Sequence, residues 1–427
     1  MIMAIEEETL PMEKKYLPMD MNAPTIMPKW YLKPIVWMIA HGMAGIFGTR
    51  TKIIKHGFTS FKEPALIFSN HGSLIDMANM EMATYPYLPT YVSSIEEFAG
   101  REWLMRNVGC FPKRKFTLDL SMLKRMNQIL NKMQRSVVIY PEARFSFAGI
   151  LEDTGSALGK MAKFCKCRII VLNQKGNFLR SPQWCKSPKR KVRCICDFTQ
   201  IASKEEVAEL SAEELEKRIL EAMEYDEYRW QYENHIRIAS KKRAKNIHRI
   251  LYKCPNCGTE FEMDSTGTDV FCHHCHASWH LDEYGELHAK EGETRFKLVS
   301  DWYRWEREEA IKEVEQGQYH FEDDVRIEHF VNAKVGFKKL GIIHMTHDER
   351  GYIFDGDLDD GSHFHLEKPC YETRSMHIEF DFKGRGDALD IATLQDTWFV
   401  FPLHSKNQLM KFNFTTEALY FKTIEKK

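Results

Sequence analysis

The run PALIFSNHGSLID, residues 64–76, decides how this chain is read, because it passes from a strand signal to a helix signal across one short turn. Pro64 to Phe68 is a short apolar segment closed by polar residues, the pattern of a buried strand in an α/β sheet. Asn70, His71 and Gly72 then read as a turn, with Ser73 as an N-cap and a helix from Leu74 that carries Asp76 in its first turn. Within one helix, residues five apart point about 140° away from each other, so His71 and Asp76 share a site only if His71 stays outside the helix. Held in the strand-to-helix loop, the imidazole can exchange a hydrogen bond with the carboxylate, which makes a general base and its orienting partner. The same letters also fit a capping box, Ser73 with Asp76, in which the aspartate only completes a helix start.

Working outward, Val137–Tyr140 and Arg168–Leu172 are further short apolar runs between helical segments. Leu118–Gln134 carries apolar residues at 118, 122, 123, 126, 129, 130 and 133, the stripe of an amphipathic helix packed on a sheet. Lys191–Phe198 alternates apolar and charged residues, as a strand with one wetter face near a sheet edge. These signals predict an α/β domain over residues 30–202, behind a leader of residues 1–29. Two cationic loops fall where such a domain places its site, beyond the carboxyl ends of strands: VGCFPKRK, residues 108–115, and YPEARFS, residues 140–146. Cations in those places suit a phosphate, arginine as a fork and lysine as a point charge.

In order and separation, the three runs resemble the glycerolipid acyltransferases typified by 1-acylglycerol-3-phosphate acyltransferase, whose motifs read N-H-x-x-x-x-D, G-x-x-F-x-x-R and F-P-E-G-T-R-S. The corresponding residues here are Asn70, His71 and Asp76, then Gly109 to Arg114, then Tyr140 to Ser146. The resemblance implies that His71 is the general base for a lipid hydroxyl, that Asp76 orients it, and that the acyl donor is a thioester of coenzyme A or acyl carrier protein. It assigns a glycerol phosphate to Arg114 or Lys115, and to Glu142 and Arg144. The implied reaction acylates a lysophospholipid, first of all 1-acyl-glycerol-3-phosphate to phosphatidic acid. The sequence departs from the pattern in three places. The second loop is one residue short, so either Arg114 or Lys115 takes the family arginine's place; Ala143 stands where the third motif has Gly-Thr; and the fourth motif is at best Val171–Gln174, without its proline.

Across 427 residues, 43% hydrophobic and 28% charged content suit a folded protein of two or three domains. A mean hydropathy of -0.45 argues against a polytopic membrane protein. The net charge of -1 supplies no global field for nucleic acid or anionic lipid, so nucleic acid is not an expected partner. MIMAIEEETLPMEKK lacks the basic and apolar regions of a signal peptide, and the eleven cysteines show no disulfide spacing, which together predict the cytoplasm. Ile35–Gly48 is apolar but shorter than the ~20 residues that span a bilayer. Flanked by Trp30, Tyr31, Lys29, Arg50, Lys52 and Lys55, it reads either as a core helix or as one lying in the headgroup region, peripheral at the inner membrane face.

Residues 203–250 read as a charged helical connector with two capping boxes, Ser203 with Glu206 and Ser211 with Glu214. Its basic end, Lys241–Lys245, is either a solvated helix face or a contact to phosphate headgroups. Cys254, Cys257, Cys272 and Cys275 form C-x2-C…C-x2-C at zinc-ribbon spacing, predicting a closed structural zinc site within residues 251–288. His273, His274, His276 and His280 lie near enough in sequence to replace a cysteine ligand, and C-x-x-C-H also fits haem attachment, though that leaves the first pair unused.

Residues 289–427 begin with a helix over 301–316 and continue as strand candidates at 336–343, 352–354, 363–366, 376–382, 397–401 and 409–414, with a closing helix over 416–424. They predict a β-rich module, pleckstrin-homology-like in outline. Asp355–Asp360 lacks the glycine and glutamate of a calcium loop and reads as a turn, and His363 and His365 read as a solvent face. The chain is thus expected to be an acyltransferase with peripheral membrane contact and a possible protein partner for its C-terminal modules. The competing expectation is a catalytically silent scaffold in which the ribbon and β module do the binding.

Overall fold

The computed structural model describes residues 19–46, 51–117, 120–155, 157–185 and 190–425. Most of the leader, Arg50 and the start of the helix expected at Leu118 lie outside them. The first sheet holds β1 (Lys52–His56), β2 (Ala65–Ser69), β3 (Thr90–Ser94), β4 (Cys110–Lys113), β5 (Val137–Ile139), β6 (Arg168–Lys175) and β7 (Ile195–Ala202). Its order is β1-β7-β6-β2-β5-β3-β4, parallel throughout except for the β6–β7 pair. Because β2, β3, β4 and β5 run in parallel, their carboxyl ends and following loops gather along one rim, where the three predicted motifs lie.

The helices of this half are α1 (Lys33–Ile46), α2 (Ile75–Thr84), α3 (Glu102–Asn107), α4 (Leu120–Asn131), α5 (Leu158–Cys165), α6 (Asn177–Arg180), α7 (Lys204–Glu209), α8 (Ala212–Met223) and α9 (Glu227–Glu233). Helix α1 turns Ala40 toward Ile75 and Ala78 of the next helix and leaves Ile35, Met38 and Ile39 exposed. Among the described residues, no helix is long and apolar enough to cross a membrane.

Three sequence expectations shift here. The strand expected over 191–198 is β7, four residues later, and it lies one strand in from the edge because β1 covers it. The stretch read as a connector packs on the first domain: Val207, Leu215, Ile219 and Met223 join the core beneath the sheet, and α8 approaches α5 so closely that a Cβ on Gly159 would lie 1.9 Å from the Ala212 carbonyl. Ser203 and Glu206 do form both halves of their capping box, while Ser211 caps α8 by accepting from the Glu214 N–H. Lys241–Lys245 is turn rather than helix, and Arg243 is buried there, donating to the Leu281 carbonyl at 2.6 Å.

The cysteine unit is a four-stranded antiparallel sheet of β8 (Met263–Thr266), β9 (Asp269–Cys272), β10 (Ser278–Leu281) and β11 (Leu287–Ala289). Helix α10 (Val299–Glu315) leads from it into β12 (Phe321–Asn332), β13 (Gly336–Asp348), β14 (Gly351–Asp357), β15 (His363–Pro369), β16 (His377–Glu379), β17 (Ala388–Ala392) and β18 (Thr397–Pro402), closed by α11 (Leu409–Glu425). The strand order is β15-β14-β13-β12-β18-β17-β16, every pair antiparallel. Leu409–Phe414, expected as a strand, is the first part of α11. That helix is buried on nearly every side from Leu409 to Leu419, so it shows no helical stripe to set against its aromatic, strand-like composition.

The halves share a core. Phe147, Phe178 and Trp184 from the first domain belong to the same apolar cluster as Cys254 and Cys272, Trp302 of α10, Ile327 of β12 and Phe412 of α11.

Candidate active site

Strand β2 ends at Ser69, and Asn70 extends its pairing with β6 by side chain: its amide oxygen accepts from the Gln174 N–H at 2.7 Å and its NH2 donates to the Gln174 carbonyl at 3.2 Å. His71 follows in the loop. Its carbonyl accepts from the Ser146 N–H at 2.7 Å, which ties the first motif to the third. Gly72 must be glycine for a different reason: a Cβ there would stand 2.8 Å from the backbone nitrogen of Phe178.

The imidazole lies between the Tyr140 ring, stacked at 4.0 Å, and the Phe145 ring at 4.1 Å. Its Nδ1 is 2.9 Å from Asp76 Oδ2. The same oxygen accepts from the N–H groups of Gly72 at 2.7 Å and Ser73 at 3.1 Å, and Oδ1 accepts from Asn177 at 2.7 Å. Asp76 is fully buried, whereas the His71 side chain keeps 22% of its surface exposed. With three other donors on the carboxylate, the fourth bond is Nδ1–H donating to Oδ2, which leaves Nε2 with its lone pair free to take a proton.

The two readings of Ser73 and Asp76 are thereby separated. Helix α2 starts at Ile75 without a side-chain cap, and Ser73 Oγ has no hydrogen-bond partner among the described residues. Asp76 makes its half of the box by accepting from the Ser73 N–H, but the Ser73 hydroxyl does not return the bond, and the same carboxylate oxygen also holds His71.

The four other residues singled out for the acceptor lie further along the rim, and the structure joins three of them to the C-terminal half. Arg144 is buried and donates to Ser375, the Met376 carbonyl, Asn413 and Glu417. Lys115 Nζ is 3.4 Å from Asp390 Oδ2 in β17, and Arg114 donates to the Leu394 carbonyl at 3.0 Å. Glu142 is buried, with Oε2 accepting from the Glu152 N–H at 3.2 Å and its carboxyl meeting the His71 backbone N–H. Burial, and next the charge of Glu152, push its carboxyl up to about 8, which favours the protonated form.

Of the amides around the pair, sequence reasoning reached Gln174 only as the end of the weak fourth motif, and it missed Asn79 and Asn177. Asn79 carried a signal, since it follows Asp76 by three positions and so shares its helix face. Asn177 carried none, because only the β6 loop brings it near.

In the ribbon, the Cys254 and Cys275 sulfurs are 3.7 Å apart, those of Cys257 and Cys272 are 3.9 Å apart, and all four lie within 4.8 Å of one another. A zinc tetrahedron with Zn–S of about 2.3 Å has sulfur edges of about 3.8 Å, so the set fits that ion. His273 and His280 turn instead to Asp264 and Asp269.

Residues 50–172 match the family model described as Acyltransferase. No curated protein matches the sequence. Among solved structures, the 1-acyl-sn-glycerophosphate (LPA) acyltransferase, PlsC, of Thermotoga maritima is similar at 14% identity and a TM-score of 0.33, over 45% of this chain and 80% of that one. His71, Asp76 and both cationic loops fall inside the matched span, so the chain carries an acyltransferase domain at residues 50–172 and is classed as an O-acyltransferase.

Proposed function

We propose that this chain moves a fatty acyl group from a thioester of coenzyme A or acyl carrier protein to the free hydroxyl of a lysophospholipid, 1-acyl-glycerol-3-phosphate before others. The observation that carries the reading is the His71–Asp76 pair, with Nδ1 held and Nε2 open. Nε2 takes the hydroxyl proton as the oxygen attacks the thioester carbonyl; the intermediate collapses by breaking the C–S bond, and the proton passes from His71 to the leaving thiolate. Glu142, Arg114, Lys115 and Arg144 are the proposed acceptor contacts, and a phosphate would compete there with Asp390 and Glu417 for the cations.

The reading extends to a peripheral position on the inner membrane face, supported by the exposed apolar face of α1, and to a structural zinc in the cysteine ribbon. The strand order of the C-terminal module and its closing helix support a pleckstrin-homology-like barrel. The silent scaffold competes on one specific point, the engagement of Arg114, Lys115 and Arg144 by the C-terminal half. Purified protein given an acyl thioester and lysophosphatidic acid separates the two. Enzyme releases free thiol and its His71→Ala variant does not; a scaffold releases none, and an active His71→Ala refutes the mechanism.

A further inference from the structure

We infer that Asn177 is a positioning residue for the His71–Asp76 pair, and that its amide sets the orientation of the Asp76 carboxylate. This rests on the reading of His71 as the base. Asn177 lies beyond the matched family span, at the start of the short helix α6 after β6, and is fully buried. Its NH2 donates to Asp76 Oδ1 at 2.7 Å and to the Gln174 amide oxygen at 2.9 Å. Its own oxygen accepts from the Asn79 NH2 at 3.0 Å.

These contacts leave the amide one orientation. Flipped, it would put its oxygen against the carboxylate and the Gln174 oxygen, and its NH2 against the Asn79 NH2, so every bond would become a repulsion. The carboxylate is thereby gripped on both oxygens: Gly72, Ser73 and His71 bind Oδ2, and Asn177 alone among the described residues binds Oδ1. Without that bond the carboxylate is held on one side only and can rotate about its last torsion, taking the imidazole with it.

The backbone holding Asn177 is itself anchored. Gly176 has a left-handed φ of 86°, and a Cβ there would stand 2.7 Å from the Arg193 carbonyl. Its N–H donates to the Glu227 carboxyl of α9, at 2.8 Å to Oε2. Tyr228, the next residue, packs in the core that also contains Cys254 and Cys272. The placement of a catalytic carboxylate thus depends on chain outside the matched domain.

The test is Asn177→Leu, which keeps a similar volume and removes the donor. Positioning predicts kcat per folded molecule lower by about 10–100-fold, part of the roughly 10²–10⁴ that a positioned base supplies, with KM for both substrates unchanged. It also predicts loss of the hydrogen-bonded Nδ1 proton of His71 from the NMR spectrum, and partial recovery of kcat in Asn177→Ser, whose hydroxyl can donate. A folded Asn177→Leu enzyme with wild-type kcat and an intact Nδ1 proton signal, beside an inactive His71→Ala, overturns the inference while leaving the base in place. An active His71→Ala instead removes the reading beneath it. If Asn177→Leu does not fold, Asn79→Ala, which keeps Asn177 but frees its amide, must lower kcat; wild-type kcat there overturns the inference equally.

Discussion

Arg144 Nη2 lies 2.8 Å from Glu417 Oε1, joining the loop after β5 to the closing helix of the C-terminal module across a buried interface. The guanidinium also donates to Ser375, Asn413 and the Met376 carbonyl and stands 3.6 Å from Glu152. Without Glu417, Arg144 and Arg307 share Glu152 alone, which leaves one buried charge uncompensated, at a cost of about 3–5 kcal/mol. Glu417→Ala is therefore expected to lower unfolding free energy by that amount in urea. A change below about 1 kcal/mol, the usual worth of an exposed pair, would show that the strut does not hold the halves together.

Stability should also depend on pH through Glu227. Burial is the main cause that pushes its carboxyl up to about 8 from an ordinary value of 4.5; the Gly176 N–H works the other way, and the charges of Asp76 and Asp226 add to the rise. The sign follows from a folded value above the unfolded one. The contribution is fully present below about pH 4.5 and is lost as pH rises toward about 8, because the unfolded chain ionises first. Glu227→Gln keeps an oxygen for the Gly176 N–H and removes the titration. It should match the wild type near pH 4.5 and exceed it in stability at pH 8. Equal urea midpoints at both values would contradict this origin.

Metal removal should be felt well beyond the ribbon. The Cys272 side chain shares its core with Trp279 and Trp302, whose rings meet edge to face at 5.0 Å. Structural zinc of this kind contributes on the order of 10–16 kcal/mol to the folding of its unit. Protein purified without chelator should carry one zinc per chain. Stripping it, or replacing Cys257 by Ser, should shift tryptophan emission to the red and lower the melting temperature. Unchanged emission and melting in metal-free protein would exclude a structural ion.

Vesicle binding should depend on the outer face of α1 and the turn before it. Trp30, in the turn, is 79% exposed, and on the helix Met38 is 61% and Ile39 55% exposed, while Ala40 and Ala44 face inward. Each such side chain gains about 1.5–3 kcal/mol when taken out of water. Met38→Ser with Ile39→Ser should weaken partition into vesicles of mixed zwitterionic and anionic lipid by about tenfold or more, as measured by sedimentation. Undiminished partition would place the membrane contact elsewhere.

Local patterns made the first domain readable. Short apolar runs closed by polar residues marked β2, β5 and β6, and the turn at Asn70–Gly72 put His71 outside the helix that carries Asp76. The cysteine spacing likewise marked four sulfurs that converge. These features follow from residues close in sequence, where steric and periodic rules act directly. Of the two long strands of the C-terminal sheet, Gly336–Asp348 was read over 336–343, whereas its partner was harder. Phe321–Asn332 passed unread because its exposed face is acidic, which hid the buried Val325, Ile327 and Phe330. In α11, burial on nearly every side removed the stripe that identifies a helix.

What the sequence alone determined, then, is the order and type of the residues proposed for catalysis and for metal binding, since both chemistries need particular side chains at short, fixed separations. Tertiary structure decided their surroundings. Only folding brings Asn177 to the free oxygen of Asp76, across a separation of 101 positions, and commits Arg144 to Glu417, across 273. Contacts of that range arise from strand order and from a core shared between halves. They depend on how apolar surface is buried across the whole chain, and leave no local pattern in the letters.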